Sequence, residues 1–210
     1  MKVLVACEHT GIVRDAFIAE GHDAWSCDLL PSTGCGPHLQ KDILEVLRDR
    51  KKWDLMIAHP DCTYLCSSGL HWNKKRPGRE AQTTAAVAFV RTLMAADIEH
   101  IAVENPVGRI GTAIRKASQY IQPYEYGHDA SKRTGLWLKN LPLIVPAGGL
   151  VKPRMVDDKP RWGNQTDSGQ NRLGPSDDRW AARAATYTGI ARAMAEQWGG
   201  HVQERVDEEN

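Results

Sequence analysis

Residues 2–28 read KVLVACEHTGIVRDAFIAEGHDAWSCD, and three elements are legible in that stretch. Residues 3–7 are a short apolar run ending in a turn, the mark of a buried parallel strand. Residues 11–20 set Ile12, Val13, Ala16, Phe17 and Ala19 at helical spacing, and Gly21 ends the helix. Residues 22–27 make a second strand that stops at Asp28. Strand, helix, strand is the crossover unit from which parallel sheets are built.

The rhythm continues outward. Residues 31–37 hold two prolines and two glycines and read as loop, 42–47 as helix and 53–58 as a third strand. Residues 59–80 are long, polar and broken by Gly69, Pro77 and Gly78; loops beyond about 12–15 residues are usually functional or disordered. A helix over 81–96 and a strand over 100–104 follow. The fold class predicted is α/β, a doubly wound, mostly parallel sheet. Beyond Gly111, residues 120–126 and 135–139 read as an antiparallel strand pair at one edge. Residues 139–180 are loop-rich, with Trp162 and Trp180 as anchors, and 181–198 form a last helix. The expected organisation is one domain over 1–198 with a frayed acidic tail over 199–210.

At 210 residues, 41% hydrophobic and 25% charged, the chain suits one sizeable domain. No apolar run reaches the roughly 18 residues of a membrane span. The start MKVLVACEH lacks a secretory apolar region, so a cytoplasmic protein is expected. Five cysteines with no C-x-x-C pair suggest neither a disulfide framework nor a zinc ribbon, and the histidine spacing suggests no metal. The net charge of +1 hides a division. Residues 1–47 carry 3 basic and 7 acidic groups, 48–108 carry 9 and 7, 109–172 carry 11 and 5, and 173–210 carry 4 and 7. A polyanion would meet the middle of the chain; an ordinary solvated surface is the other reading.

Ligands of open parallel sheets bind beyond the carboxyl ends of the strands. The residues there are 8–11, Asp28, Asp42, 60–62 and 104–105. A turn at Gly11 and a carboxylate at Asp28, 17 residues later, suit a nucleoside cofactor, although no G-x-G-x-x-G is present. A turn glycine and a solvated Asp are the alternative. Cys62, in HPDCTYLCSSG, follows a buried strand and suits a nucleophile; a small buried residue is the plainer role, and Cys66 reads as structural. Glu104, in IAVENPVG, follows apolar residues, where a carboxyl is costly unless paired or used. Either it bonds loop amides or it is an acid. Thiol and carboxyl on neighbouring strand ends suggest covalent attack with proton donation. A hydrolase with His59 as base is a more distant option, since no oxyanion motif accompanies it.

These residues resemble the cytosine-C5 DNA methyltransferases, and a minimal, phage-type member in particular. LVACEHTGIVRDAF is similar to that family's first motif, usually nearer F-x-G-x-G. The resemblance implies S-adenosylmethionine as cofactor, with Cys7, Glu8, Thr10 and Gly11 at its methionine end. It implies Asp28 at the ribose, Asp42 and Ile43 at the adenine, and Pro60 beside the cofactor. AHPDCTYLCSSG resembles the Pro-Pro-Cys loop, Asp61 replacing the second proline, and VENPVG the Glu-Asn-Val motif. Cys62 and Glu104 would then be catalytic, with Asn105 on the substrate side. YGHDASKRTGLWLK resembles the Gln-x-Arg-x-Arg strand with Ala130, Lys132 and Thr134 at the three positions, and Lys132 keeps a cation for the substrate. TYTGIARAMAEQW resembles the closing helix.

The implied reaction is methyl transfer to C5 of cytosine in duplex DNA, the target base flipped out. Lys74, Lys75 and Arg76, with Arg79, would meet phosphates from the loop after Cys62. Arg154, Arg161 and Arg172, among Trp162, Asn164, Gln165 and Asn171, form a second candidate surface. The resemblance places the protein in a bacterial cytoplasm. The large recognition region usual in the family is absent between 139 and 180. The same chemistry on RNA or a free pyrimidine nucleotide, and an inert cofactor- or DNA-binding scaffold, are the alternatives.

Overall fold

The computed structural model describes residues 1–49, 53–176 and 183–208. Seven strands form one sheet: β1 (Lys2–Ala6), β2 (Asp23–Asp28), β3 (His38–Gln40), β4 (Leu55–Ala58), β5 (His100–Pro106), β6 (Gln119–Ile121) and β7 (Thr134–Lys139). Their order is β3-β2-β1-β4-β5-β7-β6. Strands β1 to β5 pair in parallel, and β7 runs against both β5 and β6. The predicted doubly wound sheet with an antiparallel pair at one edge is what the chain forms.

Alternation puts Val3 and Val5 on one face of β1 and Leu4 and Ala6 on the other, all four fully buried. Leu55 and Ile57 join the first core, Met56 and Ala58 the second. The first face is covered by helix α1 (Ile12–Ala19) and the C-terminal helix α6 (Thr188–Glu208). The second is covered by α2 (Ile43–Arg48) and α4 (Arg79–Met94), with α3 (Ser67–Leu70) and α5 (Arg109–Ala113) short turns near the site.

Four local readings are corrected. The last helix runs to Glu208 with Gly199 and Val202 buried, so the tail expected from residue 199 is ordered helix. Gly199, inside that helix, is where His22 packs: a Cβ there would lie 2.5 Å from the His22 Nε2. Residues 59–80 contain α3 and a 3₁₀ turn, His71–Lys74. Residues 123–126 are a 3₁₀ turn after β6. The loop-rich segment holds a small hairpin, β8 (Arg154–Val156) and β9 (Lys159–Arg161). Trp162 anchors it by stacking on Tyr124, centroids 4.4 Å apart; Trp180 lies outside the described residues.

Arg14 is wholly buried in α1. Its guanidinium bonds Asp15, Ser26 and Ser32, tying the loop after β2 to the helix. A Cβ at Gly11, Gly34 or Gly36 would come within 2.1, 2.8 and 2.5 Å of that guanidinium, so the three glycines make its cradle.

Candidate active site

The strand order reverses between β1 and β4, and a cavity of about 1570 Å³ opens beyond the carboxyl ends of the strands there. One half is lined by Cys7, Asp28, Leu29, Asp42, Ile43 and Phe89. The Asp28 carboxylate accepts from the Leu30 N–H at 2.9 Å and Asp42 caps α2 by accepting from the Leu44 N–H. Leu29 is 71% exposed, an apolar side chain facing open cavity. Cys7 adopts φ 58°, a left-handed conformation costly for a side-chain-bearing residue, and burial followed by the Asp28 charge pushes its thiol up to about 12.

The other half gathers His59, Cys62, Cys66, Lys132, Arg183 and Tyr187. Its two loops are zipped together. The Ser67 N–H donates to Val107 O, the Arg109 N–H to Leu65 O, and Cys66 and Gly108 form a β-bridge. Gly108 is required by contact rather than conformation: a Cβ would stand 1.9 Å from Leu65 O. Asn105 is buried and donates to Pro60 O at 2.7 Å, fixing the turn that presents Cys62.

Glu104 lies beneath this half. The His59 Nδ1 is 3.1 Å from its Oε2. Burial raises the carboxyl, but the hydrogen bond from His59, the charges of Lys132 and His59, and Thr134 outweigh it. Glu104 is held below the usual carboxylate range. His59 is 10% exposed in its side chain and lines the cavity, and its Nε2 is buried without a partner.

Cys62 and Cys66 lie one turn apart, the Cys66 N–H donating to Cys62 O at 2.9 Å. Cys66 Sγ lies 3.2 Å from the Ser68 Oγ. The neighbouring Cys62 thiol, with Ser68, Gly69 and the Arg183 charge, brings Cys66 down to about 5 against the burial penalty. Cys66, burial and the neighbouring Asp61 raise Cys62, while Lys132 opposes.

Of the residues singled out in the sequence, Cys7, Asp28, Asp42, Ile43, Cys62 and Lys132 line one cavity. Others do not. Glu8 is buried and accepts from the Val13 and Arg14 N–H groups, capping α1; Gly11 cradles Arg14; Thr10, Pro60 and Asn105 are not in the wall. Their chemistry is spent on holding the turns. Lys74, Lys75 and Arg76 lie outside the cavity, with Lys75 and Arg76 over the Trp72 ring. Arg154 and Arg161 bond Asp167, Gln165 and Pro160 within the hairpin segment, whereas Asn164, Asn171 and Arg172 reach the cavity. Sequence reading missed Cys66, whose one-turn spacing from Cys62 was the available signal. It also missed Arg183, which carries none, and Tyr187, whose signal was its place in the stretch that resembles the closing helix.

No family model matches the chain, and no curated protein matches it. Among solved structures, an rRNA methylase from Escherichia coli is similar at 15% identity with a TM-score of 0.38. The match covers 66% of this chain and 56% of that one, so this chain spans little over half the length of its neighbour. That likeness is too slight to bear on function. Among the described residues, no helix is long and apolar enough to cross a membrane, and no cluster of His, Cys, Asp and Glu is arranged to hold a metal.

Proposed function

We propose that the chain transfers a methyl group from S-adenosylmethionine to C5 of cytosine in DNA. The carrying observation is the meeting, in one cavity, of a nucleoside-type half at Asp28 and Asp42 with a thiol half that backs onto a buried carboxylate. The cavity exceeds the roughly 300–1,000 Å³ of an ordinary small-molecule site and suits two ligands side by side.

The residues fit the cofactor. Exposed Leu29 with Ile43 and Phe89 offers apolar surface to a flat base, and Asp28 retains acceptor capacity for ribose hydroxyls. When bound, the cofactor supplies an electrophilic methyl on a sulfonium. The chain's own residues do the rest. Cys62 adds through sulfur to C6 of the base, which makes C5 nucleophilic. Glu104, ionised in the free protein, accepts from the exocyclic amine. A proton taken up from solvent at Glu104 as the base binds is then passed to N3 as that nitrogen gains charge, with His59 hydrogen-bonded to the same carboxyl. Lys132 lowers both Cys62 and Glu104 and so stands by the developing charge. Loss of the C5 proton then restores the ring and expels Cys62.

Duplex DNA carrying 5-fluorocytosine, with S-adenosylmethionine, tests this. A covalent protein–DNA species is expected, because fluorine cannot leave as a proton. It should be mapped to Cys62 by peptide mass, be absent in Cys62→Ser, and form slowly in Glu104→Gln, by about 10²–10⁴-fold. Absence of the species with DNA, RNA and the free nucleotide alike overturns the proposal.

A further inference from the structure

We infer that His59 reads the 4-amino group of the pyrimidine: its Nε2 accepts a hydrogen bond from the exocyclic amine, beside the one that Glu104 takes. His59 directly follows β4, and its N–H donates to Ala6 O at 2.9 Å, so the ring is held by the sheet rather than by a loop. Its Nδ1 is engaged by Glu104 Oε2 at 3.1 Å. The ring lines the cavity, its side chain nine-tenths buried, and its Nε2 has no hydrogen-bond partner within the protein, the Cys62 thiol included. A buried polar atom left unpaired is rare and costly. Arg14, Arg79, His100 and Asn105 also hold a buried polar atom with no such partner, but none of these four lines the cavity.

The missing partner is a donor. An ionised carboxylate only accepts, so the hydrogen between His59 and Glu104 sits on Nδ1, and the neutral ring keeps a lone pair on Nε2. Cytosine carries two hydrogens on its exocyclic nitrogen, where uracil and thymine carry a carbonyl oxygen. Two acceptors serving one such amine stand about 5 Å apart at ordinary hydrogen-bond lengths. A ring that meets Glu104 through Nδ1 holds its far nitrogen at a comparable distance from that carboxylate.

His59 and Glu104 thus form a fork of two acceptors that fits an amine and repels a carbonyl. Glu104 alone discriminates less, because the N3–H of uracil gives its carboxylate a donor in place of the amine. The Nε2 lone pair has no such compensation. It faces the oxygen unpaired, and a site built around a hydrogen bond rejects the analogue that lacks it. No bond forms or breaks at His59. The inference rests on the methyl-transfer reading only for placing a pyrimidine in the thiol half of the cavity.

Binding of the full chain to single-stranded oligo(dC) and oligo(dU) of equal length, followed by fluorescence anisotropy, tests the fork. The two probes share a backbone, so phosphate contacts cancel in the ratio of affinities. The native protein should favour oligo(dC) by roughly ten- to a hundredfold. The decisive variant is His59→Asn, whose side-chain N–H₂ replaces the Nδ1 donor to Glu104 while the second ring nitrogen is lost. Its preference should fall toward parity with the Glu104 titration, read by carbon NMR, unmoved. A preference lost together with a shifted Glu104 makes His59 a positioning residue only and overturns the inference. Nitrogen NMR of histidine-labelled native protein reads the acceptor directly, the signals being assigned by their loss in His59→Asn or His59→Gln. His59 should be protonated at Nδ1, and oligo(dC), but not oligo(dU), should move its Nε2 signal as an accepted hydrogen bond does. A ring protonated at Nε2 overturns the inference, as do equal native affinities, binding of neither probe, or an undiminished preference in His59→Asn. A preference that depends on His59, with no 5-fluorocytosine adduct on any pyrimidine, leaves the fork standing and overturns methyl transfer. An adduct without that dependence does the reverse.

Discussion

A carboxyl largely withdrawn from water at the carboxyl end of β5 keeps its charge only where neighbours replace the lost water, and at Glu104 His59 and Lys132 do so. His59→Ala should therefore raise the Glu104 pKa, read by carbon NMR of the labelled carboxyl; an unmoved titration would remove His59 from the site. The sign for stability follows. The folded pKa lies below the unfolded value of about 4.3, so the contribution is complete above that pH and is lost as pH falls through the folded value. In His59→Ala that contribution shrinks, and the stability gap between the two proteins should narrow across the same acid range. At the opposite end of the cavity, Asp28→Ala should weaken S-adenosylmethionine binding by about 1.5–3 kcal/mol, roughly ten- to a hundredfold, and leave DNA binding alone. Asp28 also accepts from the Leu30 N–H, so Asp28→Asn, which keeps that turn, separates loss of charge from loss of the loop. Calorimetry showing equal affinity in both variants would place the ribose elsewhere.

Elements of four or more residues with a clear apolar period were legible in the sequence, and of the three-residue strands only β6 was, within 120–126. Strands β3, β8 and β9 have three residues each, too few for alternation to register. Arg14 stands in a helix as a charge and gives no sign that three glycines from two loops enclose it. Site residues divided in the same way: strand-end positions such as Asp28 and Cys62 were legible because the sheet fixes where they point. Glu8 and Asn105, also at strand ends, were given ligand roles although they bond the backbone of neighbouring turns. A polar residue at such an end can hold a turn, face a ligand or, as Asp28 does in this reading, serve both, and sequence alone does not say which. The zipped pair of loops carries its own prediction. Gly108→Ala would push the added methyl into Leu65 O and the Cys66 Cα, so the Cys62 loop must shift. We expect destabilisation of about 1–3 kcal/mol by denaturant unfolding. Adduct formation should slow further than stability alone explains, with cofactor affinity unchanged. Full adduct rate in a destabilised Gly108→Ala would show that the clamp serves the fold only.

Charge is partitioned along the whole chain as the proposed reaction requires. The acidic first segment supplies Asp28 and Asp42 to a half suited to a cationic sulfonium ligand, and the basic middle supplies the face toward a polyanion. Lys74, Lys75 and Arg76 belong to that middle, on the 3₁₀ turn after α3 and just beyond it, outside the cavity. Trp72, 37% exposed, lies under Lys75 and Arg76, which orders the two cations without neutralising them. A charge held this way, in no ion pair among the described residues, adds to phosphate binding through counterion release. Each duplex phosphate contact contributes about 0.9 to the slope of log affinity against log salt. Replacing all three by Ala should therefore flatten that slope by up to roughly 2.7 for duplex DNA and leave binding of a free pyrimidine nucleotide unchanged, since a mononucleotide in the cavity does not reach them. The comparison also separates substrates. A native protein whose affinity for duplex DNA is insensitive to salt, but which methylates the nucleotide, acts on the small molecule. Equal slopes in native and triple-variant protein mean that the Trp72 cluster does not touch the backbone, and the polyanion must then meet the cations of residues 109–172.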